Sequence, residues 1–161
     1  MTGQQPLTEV EELFVACVNS AEMARREGDD GKAQELFSHA ANILREVGVA
    51  GVRPQLESAF LSQFGLFLTS HGMATEAVRM QRLALAIDQQ HGSESDVAFT
   101  CHNLASAYRE LGEIDLALPL FQRAVAGFHT AGVPAEASNS LGEMATMLIE
   151  AGRADEAEQY L

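Results

Sequence analysis

The sequence has no tryptophan, a single lysine, two cysteines and four prolines among its 161 residues. Basic residues are scarce: 10 Lys and Arg stand against 23 Asp and Glu, which gives a formal net charge of −13. A chain this acidic repels phosphate backbones and anionic lipid, so the charge excludes nucleic acid and membrane surfaces as expected direct partners. A protein or peptide partner that carries positive charge fits this balance better.

Long apolar runs are also missing. No stretch reaches the roughly 18 uninterrupted apolar residues that a membrane-spanning helix needs. Residues 1–8 are polar, unlike the apolar segment of a secretory signal. We therefore expect a cytoplasmic protein, and the preference for arginine over lysine, together with the abundance of alanine, is compatible with a bacterial source.

Catalytic signatures are absent as well. The sequence contains no phosphate-binding glycine-rich loop, no His-Glu-x-x-His, no paired cysteines at metal-ligand spacing and no Gly-x-Ser-x-Gly. None of the five histidines shares a helix face with another at a spacing of four residues, as a helical metal site would require. The sequence therefore predicts no enzyme, no catalytic residue, no metal and no cofactor.

What the sequence does contain is a helical pattern that recurs. In Ala98–Thr130 one apolar stripe is followed by a glycine and then by a second stripe. The stripes consist of Cys101, Leu104, Ala105 and Tyr108, and then of Ala117, Phe121, Ala124 and Phe128. Similar patterns surround turn glycines at Gly28, Gly72, Gly112 and Gly152, which lie 44, 40 and 40 residues apart. Small residues beside bulky ones predict closely packed antiparallel helix pairs.

The order Leu-Ala-x-x-Tyr, Gly, Ala-x-x-x-Phe-x-x-Ala resembles the tetratricopeptide repeat. The long spacing is similar to the repeats of kinesin light chains and of many bacterial regulators, and the resemblance covers about Leu7 to Leu161. It implies an all-α fold, an α-solenoid of antiparallel helix pairs with three and a half to four repeats. The predicted divisions are a flexible N-terminus at 1–7 and one array at 8–161, with repeats at about 8–48, 54–92, 96–131 and 134–161, the last truncated.

Helix ends and irregular positions follow from local rules. Thr8 with Glu11 forms a capping-box pattern at the first helix, and Ser95 or Asp96 is expected to cap the fifth. Pro119 lies beyond the first turn of its helix, which we expect to continue with a bend. Three further expectations concern packing and helix starts: Pro54 and Pro134 open helices, Gly65 is a small residue at a close helix contact, and Cys17 and Cys101 are reduced core residues.

The exposed faces of each repeat's first helix are the candidate binding site, because in the proteins this chain resembles those faces line an inner, concave surface that holds peptides. Asn19, Gln63 and Asn103 fall at the same place in successive repeats, and an amide can pair with the backbone of an extended peptide. The same faces carry Arg25 and Thr69. The candidate site residues are Asn19, Glu22, Gln63, Leu66, Phe99, His102, Asn103, Ser106, Arg109 and Glu143.

Three functional hypotheses follow. The first is a protein–protein interaction scaffold that binds a peptide or helix of a partner in the groove, and the acidic balance suggests that this ligand is cationic or mixed in charge. The second is a peptide-sensing region of a larger bacterial transcriptional or NTPase-linked regulator, since the chain stops within a repeat. The third is an enzyme or metalloprotein. Because the last helix is short, the stripe Leu141, Met144, Ala145 and Leu148 is expected to be incompletely covered, which predicts self-association through the C-terminal end.

Overall fold

The structure is a computed structural model that describes residues 6–48 and 51–160. Within those ranges the chain forms helices and turns, with no strand. The helices are α1 (Glu9–Arg26), α2 (Asp30–Val47), α3 (Pro54–Ser70), α4 (Ala74–His91), α5 (Glu94–Glu110), α6 (Ile114–Ala131), α7 (Pro134–Glu150) and α8 (Ala154–Ala157), and a 3-10 turn follows at Glu158–Tyr160. The predicted all-α fold is confirmed. The predicted flexible segment falls mainly on residues 1–5, outside the described ranges.

Tight glycine turns join the two helices of each pair. Gly28, Gly72, Gly112 and Gly152 all have φ between 72° and 78°. This left-handed region is open to glycine at little cost and is strained for residues that carry a Cβ atom. The recurring glycine therefore reverses the chain at the same point of every pair.

Apolar stripes of the two helices form the core, as predicted. Ala117, Phe121 and Ala124 of α6 are all fully buried, and Ala33 and Phe37 of α2 are buried in the same way. Cys17 and Cys101 are buried and free. The first two pairs are joined by an aromatic cluster, which consists of Phe14, Phe37, Phe60, Phe64 and Phe67.

Capping explains where two of the helices begin. Thr8 caps α1 and pairs reciprocally with Glu11, as predicted. The predicted cap of α5 is wrong: Ser93, and neither Ser95 nor Asp96, is the capping residue. Asp96 instead accepts hydrogen bonds from the backbone and hydroxyl of Ser93. The helix therefore starts at Glu94, because a serine followed three residues later by an acid satisfies two free backbone amides.

Two irregular positions within helices and one ion pair between helices affect how the helices pack. Pro119 lies inside α6, which continues through it as expected. Gly65 of α3 lies against the side chain of Gln81 in α4, as predicted for a small residue at a close helix contact. Glu11 joins α1 to the start of α3, since its carboxylate accepts from the backbone and side chain of Arg53, each at 3.0 Å. These hydrogen bonds help to hold the first helices of neighbouring pairs side by side, and α1, α3, α5 and α7 contact one another in that order.

The C-terminal end differs from the prediction. Met144 and Leu148 are buried, with 1% and 0% of their surface exposed, so the expectation of an incompletely covered stripe is wrong. Ala157 is buried against them, and Tyr160 packs on the same cluster. The hydroxyl of Tyr160 also accepts a hydrogen bond from Gln122 at 2.9 Å. The short α8 and its 3-10 turn therefore cover this end, while the predicted inward packing of Leu161 lies outside the described residues.

Candidate functional site

The first helices of the four pairs share one open cavity. Its volume is about 590 Å³, and we call it the groove. Residues from α1, α3, α5 and α7 line it: Arg25, Leu66, Thr69, Ser70, His102, Ser106, Arg109, Glu110 and Glu143. One apolar side chain, one histidine, two arginines, two glutamates and three hydroxyls therefore face a common space, which suits a mixed polar and apolar ligand.

Half of the predicted site residues lie in the groove: Leu66, His102, Ser106, Arg109 and Glu143. Phe99 lines a second, smaller cavity, and Glu22 binds the groove residue Arg25. The predicted set left out Arg25, Thr69, Ser70 and Glu110. Arg25, Thr69 and Arg109 stand at one place in successive repeats, 44 and 40 residues apart, so the repeat spacing could have identified them together.

The three amides of the predicted row have different environments. Asn19 is exposed, Gln63 is half-buried and Asn103 is buried. The amide of Asn103 donates to the hydroxyl of Ser62 at 3.0 Å and so joins α5 to α3. The side-chain oxygen of Gln63 is buried without a hydrogen-bond partner among the described residues. Three equivalent positions therefore do not present three equivalent groups to a ligand.

His102 lies at the centre of a network between α5 and α7. The hydroxyl of Ser140 donates to the carbonyl of Glu136 at 3.0 Å, so it accepts from Nδ1 of His102 at 2.9 Å. The other ring nitrogen, Nε2, faces the carboxylate of Glu143 at 3.6 Å. Burial lowers the pKa of His102, and the negative charge of Glu143 acts in the opposite direction without cancelling this effect. At neutral pH the ring is therefore mainly uncharged.

Ion pairs surround the groove. Arg109 binds Glu150 at 2.8 Å, which joins α5 to α7. In α1 the carboxylate of Glu22 accepts from Arg25 at 2.7 Å and from Arg26 at 2.8 Å. Hydrogen bonds from Arg25 and Arg26 hold the pKa of Glu22 below its usual value despite partial burial. Two of the acidic side chains at the groove rim are thus already neutralised within the chain.

A second cavity, of about 140 Å³, lies between the starts of α3 and α5, and we call it the Asp88 cavity. Two hydroxyls donate to the carboxylate of Asp88, that of Ser58 at 2.5 Å and that of Thr100 at 2.6 Å. Asp88 is only 6% exposed. The full lining is Gln55, Ser58, Ala59, Ser62, Asp88, Asp96, Phe99 and Thr100.

Comparison with known families identifies the repeat. The family description "Tetratricopeptide repeat" matches residues 56–128, which include all of α4 and α5 and most of α3 and α6. Residues 56–128 are tetratricopeptide repeats. The flanking pairs α1–α2 and α7–α8 show the same helix order and glycine turn, so the helix-pair architecture continues on both sides of the matched residues.

Solved structures with the same repeat architecture share the fold. The nearly identical TPR-like repeats of a Podosopora anserina protein assigned as a kinesin light chain match with a TM-score of 0.78 and 20% identity. That match covers 96% of this chain and 74% of the other, and a structure of a point variant of the same repeats gives 0.77. BtubC (BKLC) from P. vanneervenii matches with a TM-score of 0.67 and 20% identity, over 96% of this chain and 72% of that one. No curated protein sequence matches.

Tetratricopeptide repeats, which residues 56–128 match, form scaffolds that proteins use for interaction with other proteins. Across 6–48 and 51–160, no group of three or more His, Cys, Asp or Glu side chains is placed to hold a metal ion. In the same residues, no helix has both the length and the apolar character to cross a membrane.

Proposed function

We propose that the array binds a segment of a partner protein, an extended peptide or a helix, in the groove. The single observation that carries the proposal is that α1, α3, α5 and α7 all contribute side chains to one continuous cavity. A surface assembled from four helices is preformed, so a ligand is ordered on it without reordering the scaffold. The apolar side chain of Leu66 would bury hydrocarbon, while Arg25 and Arg109 would fix polar groups of the ligand.

The combined length of the groove and the neighbouring Asp88 cavity sets the size of the ligand. From Ala59, which lines the Asp88 cavity, to Thr69 in the groove, α3 advances about 15 Å, at about 1.5 Å per residue. An extended chain covers that distance in about four or five residues. The bound segment is therefore a short motif, and its backbone could pair with the hydroxyl and carboxylate groups along α5.

The charge of the ligand follows from the groups that stay unpaired. Glu22 and Glu150 are held by arginines of the same chain, whereas Glu143 accepts a hydrogen bond only from the neutral hydroxyl of Ser106 among the described residues. Together with the net charge of −13, this balance favours a cationic or mixed segment. Attraction of this kind is screened within about 8–10 Å at physiological salt, so affinity should fall as salt is raised.

Site-specific photocrosslinking tests the proposal. A benzoylphenylalanine placed at Leu66 should capture a partner from a lysate of the source organism. The matched control is the same group at Gln34, on the exposed outer face of α2. The captured protein is then purified, and the crosslinked segment is identified by mass spectrometry. Capture of the same proteins in equal yield from both positions would contradict the groove as the binding surface.

A further inference from the structure

Asp88 departs from the pattern that the chain itself repeats. With the repeat offsets of 44 and 40 residues, its position in α4 corresponds to Leu44 in α2 and to Phe128 in α6. Phe128 is 1% exposed and forms part of the core. The same comparison places Thr100 where the buried Phe60 stands. The helix pair therefore packs well with hydrocarbon at these positions, and the fold itself does not require a carboxylate there.

A buried carboxylate is costly unless its charge is compensated. Two hydroxyl groups, from Ser58 and Thr100, donate to Asp88. They satisfy hydrogen bonds but supply no positive charge. Among the described residues, no cationic side chain pairs with this carboxylate at the wall of the Asp88 cavity.

The other walls of the Asp88 cavity suit an organic cation. Phe99 is 42% exposed, and its ring is held edge-on against Phe128 at a centroid distance of 4.8 Å. A fixed, half-exposed ring attracts a cation placed over its face. Asp96 adds a second carboxylate, and Gln55 adds an amide. The volume of about 140 Å³ exceeds the share of a single water, about 30 Å³, several times.

We propose that the Asp88 cavity receives the charged end of a lysine or arginine side chain from the segment bound in the groove. The peptide origin of this cation rests on the proposed function and on the adjacency of the two cavities along α3 and α5. Ala59 and Ser62 line the Asp88 cavity and lie on α3 one or two turns before Leu66, and Phe99 precedes His102 on α5 in the same way. From Ala59 to Leu66 the helix advances about 10 Å, which an extended peptide spans in about three residues. The basic residue of the motif therefore lies about three positions from the residue that contacts Leu66.

Binding of blocked amino acids tests the cavity without any knowledge of the partner. N-acetyl-arginine methylamide and N-acetyl-lysine methylamide are titrated into the labelled protein, and the amide resonances of Thr100 and Phe99 are followed by NMR. The uncharged controls are the blocked forms of citrulline and norleucine, which resemble the two cations in length. We expect saturable shifts with a cation and at least about tenfold weaker binding of its uncharged analogue. The proposal would be overturned if blocked arginine and blocked citrulline bound with equal affinity, or if neither of the two cations caused resonance shifts.

Substitutions then assign the affinity to particular side chains. Asp88→Asn keeps the volume and removes the charge, and it should weaken binding of the blocked cation about tenfold or more. The matched control is Asp155→Asn, an exposed acid on α8, which should leave the affinity unchanged. If Asp88→Asn does not fold, Phe99→Leu at the cavity rim decides: loss of the ring should weaken binding about two- to fivefold. Unchanged affinity in Asp88→Asn, or in Phe99→Leu where only that variant folds, would exclude the site.

Two further comparisons are needed. One distinguishes a peptide side chain from a free polyamine as the source of the cation, and the other distinguishes failure of this inference from failure of the proposed function. Tighter binding of spermidine than of an arginine-containing pentapeptide would overturn the assignment to a peptide side chain. Blocked amino acids report on the cavity alone, whereas photocrosslinking at Leu66 reports on the groove. Saturable cation binding with failed crosslinking would therefore reject the proposed function, and crosslinking without cation binding would reject only the present inference.

Discussion

The side chain of Gln81 fills the space beside Gly65 that a larger residue at that position would need. A Cβ atom at Gly65 would lie 2.5 Å from Nε2 of Gln81, and this nitrogen donates to the carbonyl of Ser62 at 2.8 Å. Gln81 is fully buried and stands in the second repeat where Phe37 and Phe121 stand in the first and third. The second pair therefore packs through a glycine and a hydrogen-bonded amide in place of an aromatic ring.

Gly65→Ala should lower the free energy of unfolding by about 1–3 kcal/mol, because the new methyl group displaces Gln81 and breaks the hydrogen bond that its buried amide donates to Ser62. This loss outweighs the gain in helix propensity of about 1 kcal/mol. Urea unfolding measures the change. Gly142→Ala is the matched control, since a Cβ there would meet no atom within 4 Å, and it should stabilise the chain by up to about 1 kcal/mol.

The same pair allows a double-mutant cycle. With Gln81→Ala already in place, the methyl group meets no amide, so Gly65→Ala should become neutral or stabilising. An equal penalty for Gly65→Ala in both backgrounds would show that the glycine is required for some reason other than Gln81.

Acid should destabilise the fold through His102. Its pKa is lowered by burial, so as pH falls below the ordinary value of 6.5 the unfolded chain binds a proton before the folded chain does. Stability is therefore lost between pH 6.5 and the lowered pKa, and nothing is lost above 6.5. In His102→Gln, which can still bond Ser140, this part of the acid sensitivity should disappear. Urea unfolding at about pH 7.5 and about pH 5.5 compares the two proteins, and identical pH dependence would contradict the argument.

The pKa of His71 is shifted in the opposite direction to that of His102. Its Nδ1 hydrogen bond to the carbonyl of Phe67, and then the carboxylate of Asp30, raise the pKa of His71. Its contribution to stability is full below pH 6.5 and is lost as pH rises through the raised pKa. An NMR titration should therefore show His71 protonating at higher pH than His102, and Asp30→Asn should bring His71 closer to the ordinary value. A reversed order would show that burial does not control His102.

Arg109 should matter more for binding than for stability. Its pair with Glu150 is partly exposed, with 25% and 59% of the two side chains accessible, so its loss should change the free energy of unfolding by less than about 1 kcal/mol. Replacing an arginine at the centre of an interface with alanine commonly lowers the binding affinity more than tenfold. Arg109→Ala should thus lower the affinity for the crosslinked partner about tenfold, as measured by calorimetry. Arg82→Ala, on the exposed side of α4, should leave this affinity unchanged. Equal affinity of both variants would move the site away from α5.

Tyr160 should stabilise the C-terminal end. Tyr160→Ala removes packing on the buried cluster of Met144, Met147 and Leu148, and it removes the hydrogen bond to Gln122. We expect a loss of about 1–3 kcal/mol and faster hydrogen exchange in the last turns of α7. Light scattering should show self-association of this variant at a lower protein concentration than for the parent chain, because the apolar surface of the variant is less covered. Exchange rates equal to those of the parent would show that α8 covers α7 without the tyrosine.

Helices and turns were readable from the sequence because their physics is local. An apolar residue every three or four positions makes one face of a helix, so the stripe with Phe121 and Phe128 could be placed in advance. A glycine that tolerates positive φ marks the turn at Gly112 and its equivalents. The repeat spacing then implied the stacking of pairs, and the kinesin-light-chain-like architecture followed from the resemblance. The cap at Ser93 was missed by two or three residues, although the same capping rule explains it.

Only the tertiary structure decided which groups remain for a ligand. The repeat pattern placed Asn103 among the groove amides, but its side-chain amide donates a hydrogen bond to the hydroxyl of Ser62, 41 residues away. Nothing in the sequence distinguishes Asp88 from the other acids, yet in the fold it meets hydroxyls 30 residues before it and 12 residues after it. Burial, hydrogen-bond partners and charge pairing depend on residues distant in sequence that meet only when the helices stack. The sequence by itself determined the scaffold through local periodicity, whereas packing between repeats determined the chemistry of its surface.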